Sequence, residues 1–161
     1  MINREDWQER ITKAFETHNI VALVGPRQCG KTTLAKQYAN KYPTQYFFDL
    51  EDPNSLARFQ DPVSTLRPLS GLIVIDEVQL QPHLFTTLRF IHDEFINKKF
   101  LLLGSASRDL IQKSSETLAG RVAFIELTPF MMNEVDSTNK LWVRGGYPKS
   151  YLQDQDENSF V

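Results

Sequence analysis

A chain of 161 residues, 41% hydrophobic and 24% charged, is long enough for one compact domain with a sizeable core and short for two. Eighteen basic residues against 20 acidic ones leave a net charge of -2, which argues against a surface built to neutralise nucleic-acid phosphates or an anionic membrane. The single cysteine, Cys29, excludes an internal disulfide and a multi-thiolate metal site and fits a reducing compartment. With a polar N-terminus and no run of about 18 apolar residues, the reading is a cytoplasmic protein without signal peptide or membrane span.

Trp7, Ile11 and Phe15 recur at helical spacing, which predicts an amphipathic helix with Asn3 as its cap, packed outside the main sheet. Ile20-Val21-Ala22-Leu23-Val24 is a short, β-branched apolar run, as expected of a strand covered on both faces. A helix from Lys31 to about Asn40 follows, with Leu34, Ala35 and Tyr38 inward, and then a second strand at Tyr46–Leu50. From Glu51 to Ser70 the prolines and scattered apolar residues predict a loop with one short helix around Leu56–Phe59. Leu72-Ile73-Val74-Ile75 is a third buried strand that runs into Asp76-Glu77. Leu84, Leu88, Ile91 and Phe95 mark a helix, Phe100–Leu103 a fourth strand ending at Gly104-Ser105, and Val122–Leu127 a fifth. Alternation of strand and helix predicts an α/β protein: a parallel five-stranded sheet with helices on both faces. Residues 1–19 then form an N-terminal helix, 20–128 the core, and 129–161 a C-terminal extension whose last stretch, around Asp154, Asp156 and Glu157, reads as a solvated tail.

Gly25-Pro26-Arg27-Gln28-Cys29-Gly30-Lys31-Thr32 fits the phosphate-loop pattern of Gly, four residues and Gly-Lys-Ser/Thr, and lies between a predicted strand and a predicted helix. A polyphosphate needs backbone N–H groups at a helix N-terminus, an ammonium on its β and γ groups and a hydroxyl on Mg²⁺, and Gly30, Lys31 and Thr32 can supply them. Asp76 at a strand end is suited to hold Mg²⁺ through its water shell, and Glu77 to polarise an attacking water. Ser105 or Ser107 could bond the γ-phosphate or that water; Ser107 reads rather as the cap of a helix starting at Arg108, which leaves Ser105 as the candidate. Arg121, before the fifth strand, could reach a γ-phosphate in this or a neighbouring subunit, or could equally form a surface salt bridge. A guanine-specific GTPase is unsupported, since Asp76 lacks a following Asp-x-x-Gly pattern and Asn97-Lys98-Lys99-Phe100 lacks the Asp of Asn-Lys-x-Asp. A small-molecule kinase would want an arginine-rich lid, and here the arginines are dispersed. His18, His83 and His92 are not spaced as metal ligands and read as solvent-facing or locally bonded. Cys29, among backbone amides and beside Lys31, is expected to have a lowered thiol pKa.

The phosphate loop through Thr33-Leu34, Asp49–Pro53, Val74–Gln79, Leu103–Ser107, Leu118–Arg121 and Arg144-Gly145-Gly146-Tyr147-Pro148 together resemble prokaryotic AAA-type P-loop ATPases that carry a further C-terminal domain. The resemblance covers nearly the whole chain. It implies a three-layer core of the additional-strand type, with the Asp76 and Ser105 strands adjacent and the nucleotide at their carboxyl ends. It implies ATP and Mg²⁺ as ligands, bound by Gly25, Pro26, Arg27, Gln28, Cys29, Gly30, Lys31, Thr32 and Thr33, with Thr32 and Asp76 toward the metal. Glu77, Lys31, Ser105 and Arg121 are the implied catalytic groups. Cys29 stands where such proteins more often have Val. The chain then corresponds to the N-terminal ATPase portion, with the second domain missing, so the expectation is an ATP-binding protein with weak turnover. Self-association through Arg121 would raise that turnover, and the alternative is a nucleotide-sensing module without significant hydrolysis.

Overall fold

The computed structural model describes residues 2–94, 98–105 and 116–153. Five strands, β1 (Ile20–Gly25), β2 (Gln45–Asp49), β3 (Leu72–Asp76), β4 (Lys99–Ser105) and β5 (Val122–Glu126), pair in the order β2-β3-β4-β1-β5. Every pairing is parallel, and β4 inserts between β3 and β1, so the Asp76 and Ser105 strands are neighbours.

The central strands are uniformly apolar because both faces are covered. Side chains alternate along a strand. Ile20, Ala22, Val24, Ile73, Ile75, Phe100 and Leu102 therefore fill one core with Leu84, Phe85, Leu88 and Ile91 of α5 (Leu84–Glu94). Val21, Leu23, Val74, Leu101 and Leu103 fill the other, against Trp7, Ile11 and Phe15 of α1 (Glu5–Thr17) and Leu34, Ala35 and Tyr38 of α2 (Lys31–Ala39). The helical spacing named the inward residues of α1, α2 and α5 except Phe85, and Phe95 lies outside the described residues.

Two local expectations are corrected. Asn3 does not cap α1: the cap is Arg4, whose carbonyl accepts from the Trp7 and Gln8 N–H groups, while the Asn3 side chain bonds Glu5 and Gln8. Residues 51–70 hold two short helices, α3 (Pro53–Arg58) and α4 (Pro62–Leu66), each opened by an aspartate cap followed by proline. Lys98, by contrast with most lysines, is buried and donates its ammonium to the carbonyls of Leu66, Arg67 and Leu69 at the end of α4.

Beyond β5 the chain forms α6 (Thr138–Arg144) and α7 (Pro148–Tyr151) and is tied back to the N-terminus by Arg4, which is 4% exposed. Its guanidinium donates to both Glu134 carboxylate oxygens (2.6 and 3.0 Å), to the Thr128 carbonyl (2.9 Å) and to the Cys29 carbonyl (3.1 Å). Glu134 also accepts from the Trp7 indole N–H at 2.9 Å. Removing one partner of a buried ion pair leaves the other charge uncompensated. Glu134→Ala should therefore cost about 3–5 kcal/mol in denaturant unfolding. Disruption of the exposed Asp93–Arg121 pair should cost far less; equal losses would show that the Arg4 pair is not the buried tie described.

Candidate nucleotide site

β1 ends at Gly25, and a Cβ there would run into the carbonyl oxygen of Leu127, so only glycine lets the loop turn this close to the β5 exit. The loop re-enters helical geometry through Gln28 (φ 63°) and Gly30 (φ 97°), the N-cap of α2. The first bond of that helix runs from Leu34 N–H to the Gly30 carbonyl at 3.0 Å, so the N–H groups of Lys31, Thr32 and Thr33 have no acceptor within the helix. Lys31, only 6% exposed, folds back onto the Gly25 and Pro26 carbonyls at 3.0 and 2.8 Å. An ammonium satisfied only by neutral carbonyls beside free helical N–H groups is a setting that favours an anion.

The loop opens on a cavity of about 430 Å³ lined by Arg27, Gln28, Gly30, Lys31, Thr32 and Thr33, together with Glu51, Glu77, Pro148 and Lys149. Gly25 and Cys29 lie buried beneath it and contribute backbone. Asp76, 3% exposed, accepts from the Thr32 hydroxyl at 2.7 Å through Oδ2 and from the Glu77 N–H at 2.9 Å through Oδ1. Burial raises its pKa above the usual carboxylate range, and the nearby carboxylates of Glu77 and Asp49 add to that, while the Thr32 and Glu77 donors oppose it. Glu77 sits in the left-handed region (φ 54°, ψ 43°), uncommon for a residue other than glycine, and is held through Oε2 by the Gln79 amide. The Gln79 Oε1 is buried and has no partner among the described residues. Ser105 stands beside Gly25 in the β1–β4 ladder, at the same sheet edge, but is not among the residues lining the cavity.

Two expectations differ from this geometry. The Cys29 thiol is pushed up, not down: it is fully buried against the Leu127 carbonyl (3.7 Å), and desolvation outweighs the charges of Lys31 and Arg4. Arg121 is not near the loop of its own chain. It precedes Val122, which pairs with Ile20 at the amino end of β1, whereas the loop leaves the carboxyl end, about 17 Å away along a six-residue strand. There it donates to both Asp93 oxygens (2.8 and 3.1 Å), holding that carboxyl down to about 2, which keeps the pair ionised through the physiological range. Ser107 and the helix expected from Arg108 lie outside the described residues. His18 pairs with the Thr17 hydroxyl, His92 with Asp93, and His83 is exposed.

Sequence reasoning missed Arg4, Gln79 and Lys149. Gln79 was within sight, two residues beyond Glu77. Nothing in the local pattern marks Arg4 or Lys149, because both reach the site through the packing of segments far from the loop in sequence.

The family model described as an AAA domain matches residues 17–136. The chain belongs to the AAA domain family. Among curated proteins it is 43% identical over 162 residues to uncharacterized proteins of Mycobacterium tuberculosis and Mycobacterium bovis, covering 99% of this chain and 36% of theirs. The chain thus spans about a third of the length of those relatives. Among solved structures it is similar in fold to a Walker-type ATPase of Pyrococcus abyssi, with TM-score 0.64 and 15% identity over 99% of this chain and 61% of that one. A signal-transduction ATPase with numerous domains and a tetratricopeptide repeat sensor, from Pyrococcus horikoshii, gives TM-score 0.55 and 14% identity over 99% of this chain and 27% of that one. The sheet order and these likenesses agree on a P-loop NTPase fold of the α/β class.

The residues present fit a magnesium-bound polyphosphate: a hydroxyl and a strand-end carboxylate already in contact, free N–H groups at a helix start, and a recessed ammonium. A carboxyl whose folded pKa is raised is stabilised in its protonated form, so it contributes most at low pH and its contribution declines as pH rises through the raised value. Asp76→Asn should accordingly leave the melting temperature at neutral pH unchanged or higher while weakening magnesium-dependent nucleotide binding. A variant that melts well below the parent would contradict this account of the buried charge.

Proposed function

We propose that this AAA domain binds ATP with Mg²⁺ and hydrolyses it to ADP and phosphate. The observation that carries the reading is the 2.7 Å bond between Thr32 and Asp76, residues 44 positions apart that meet at the N-terminus of α2. When bound, Mg²⁺ supplies neutralisation of phosphate charge, with Thr32 and Asp76 as the groups that would hold it. The backbone of residues 25–33 cradles the phosphates, and Lys31 leaves its two loop carbonyls to meet the β and γ groups. Glu77 accepts a proton from the attacking water as the new oxygen–phosphorus bond forms and the bond to the β-phosphate bridging oxygen breaks. Ser105, at the strand end beside Gly25, would bond the γ-phosphate or that water.

A second cavity of about 210 Å³ shares Gly30, Thr33 and Pro148 with the first and has mostly apolar walls that include Leu34, Phe130 and Leu152, with the amide of Gln37 at hand. A flat base with polar edges suits such walls, which supports a nucleoside triphosphate over inorganic polyphosphate. No helix among the described residues is long and apolar enough to cross a membrane. The reading is of a cytoplasmic nucleotide-binding domain, with residues 1–19, 20–128 and 129–161 as helix, core and extension.

One observation favours a second reading, a nucleotide-sensing module with little turnover. Arg121 is engaged with Asp93 at the opposite sheet edge, so its charge could reach a γ-phosphate only in another subunit.

Lys31→Ala should lower Mg-ATP affinity about 10- to 100-fold in calorimetry without a loss of helix signal. Glu77→Gln should retain binding and lose about 10²–10⁴ in turnover; parent-like turnover would remove Glu77 as the base. If Arg121 acts between subunits, turnover per chain should rise with protein concentration and fall on Arg121→Ala. Turnover independent of both would assign the chemistry to one subunit.

A further inference from the structure

The Arg144-Gly145-Gly146-Tyr147-Pro148 segment enters the reading above only through Pro148 as a cavity wall, yet its end also lies on the phosphate cavity. After α6, Gly145 takes a positive φ of 74° and the Gly146 carbonyl accepts from the Phe130 N–H at 2.7 Å. A Cβ at position 146 would run into the Phe130 carbonyl oxygen, so the two stretches lie as close as backbone allows. Tyr151, buried, packs edge-on against the Phe130 ring at 5.8 Å, and the Arg4 guanidinium lies over that ring at 5.2 Å. Pro148 is thereby seated against Gly30, within ordinary contact of a side chain placed there. The residue that follows, Lys149, lines the same cavity as Lys31, Thr32 and Glu77.

Lys149 is exposed, and among the described residues it makes no ion pair or hydrogen bond. The other cations nearby are differently placed: Lys31 is satisfied by loop carbonyls, Arg4 is consumed by Glu134 and the Cys29 carbonyl, and Arg27, which also lines the cavity, belongs to the loop itself. Glu51 and Glu77 also face the cavity, so an incoming polyanion meets two carboxylates as well as the loop cations. An unengaged ammonium on a segment fixed by backbone and ring contacts offsets that repulsion at little ordering cost.

We propose that Lys149 is a phosphate-binding cation of the nucleotide site, carried to it within the same chain by the Gly145–Lys149 turn. The triphosphate is then held between the loop at 25–33 and the C-terminal segment. This rests on the polyphosphate reading of the cavity and adds to it a charge from outside the loop motif. The same contact explains the glycine at 146, where a side chain would push the segment, and Lys149 with it, off the cavity, while Gly145 supplies the positive φ of the turn.

The test is calorimetric titration of Mg-ATP into the parent chain, Lys149→Ala, Lys149→Arg, Lys31→Ala and, as a control away from the cavity, Lys13→Ala. The expected result is an affinity loss of about tenfold for Lys149→Ala, equivalent to about 1.4 kcal/mol. Lys149→Arg and Lys13→Ala should stay within about twofold of the parent. The salt dependence of binding should be shallower in Lys149→Ala, which a merely structural role would not produce. Lys149→Ala binding like the parent while Lys31→Ala fails would overturn the Lys149 assignment alone. A parent chain that binds no better than Lys31→Ala would overturn both the assignment and the nucleotide reading beneath it.

Discussion

Parallel pairing of all five strands is the constraint from which the site follows. Because the chain direction is the same in every strand, the carboxyl ends of β1, β3 and β4 arrive at one edge, with Gly25 opposite Ser105 and Asp49 opposite Asp76. α2 starts where β1 stops, so its unbonded N–H groups and the Thr32 hydroxyl face the acidic end of β3 across a single bond. The buried charge of Asp76 is the cost of that convergence. A carboxylate at this depth is tolerated only with donors on both oxygens, and Thr32 and the Glu77 backbone provide them.

A second tie decides what surrounds the edge. Arg4 joins the cap of α1, the Cys29 carbonyl under the loop, the Thr128 carbonyl at the β5 exit and Glu134. The start of α1 and residues 128–134 are thereby fixed against the back of the phosphate loop. The walls of both cavities depend on this arrangement, since Phe130 and Pro148 hold their places through the Arg4 and Gly146 contacts. Glu77 shows the same economy at smaller scale: a left-handed backbone and the Gln79 amide on Oε2 fix a carboxylate that lines the cavity.

What could be read from the sequence is what local chemistry encodes. Apolar runs of β-branched residues gave the strands, the four-residue spacing of Trp7, Ile11 and Phe15 gave the buried stripe of α1, and the Gly-Lys-Thr spacing gave the loop. The placement of β4 beside the Asp76 strand came from the family resemblance, not from periodicity, which gave only its existence. Contacts between distant segments left no local mark. Arg4 looks like one more charge in a polar N-terminus, and only Glu134, 130 residues later, makes its burial tolerable. Cys29 was misjudged because nearby amides and Lys31 argue for a thiolate, whereas complete burial, a property of the fold, outweighs them. For Arg121 the sequence left a γ-phosphate contact and a surface salt bridge equally open, because it does not say which sheet edge a pre-strand residue occupies, and the salt bridge to Asp93 is the one that forms. The parallel register puts it at the amino end, opposite the loop.

The account stands on Thr32 and Asp76 acting as one unit toward the metal. A double-mutant cycle of Thr32→Ala and Asp76→Asn, read as Mg-ATP affinity with matched titrations in chelator, tests that unit most directly. The predicted result is strong non-additivity in magnesium, the double variant binding about as weakly as the weaker single one, with the coupling lost in chelator. Losses that simply add, or coupling unchanged without the metal, would contradict the claim that these two residues form a shared magnesium site.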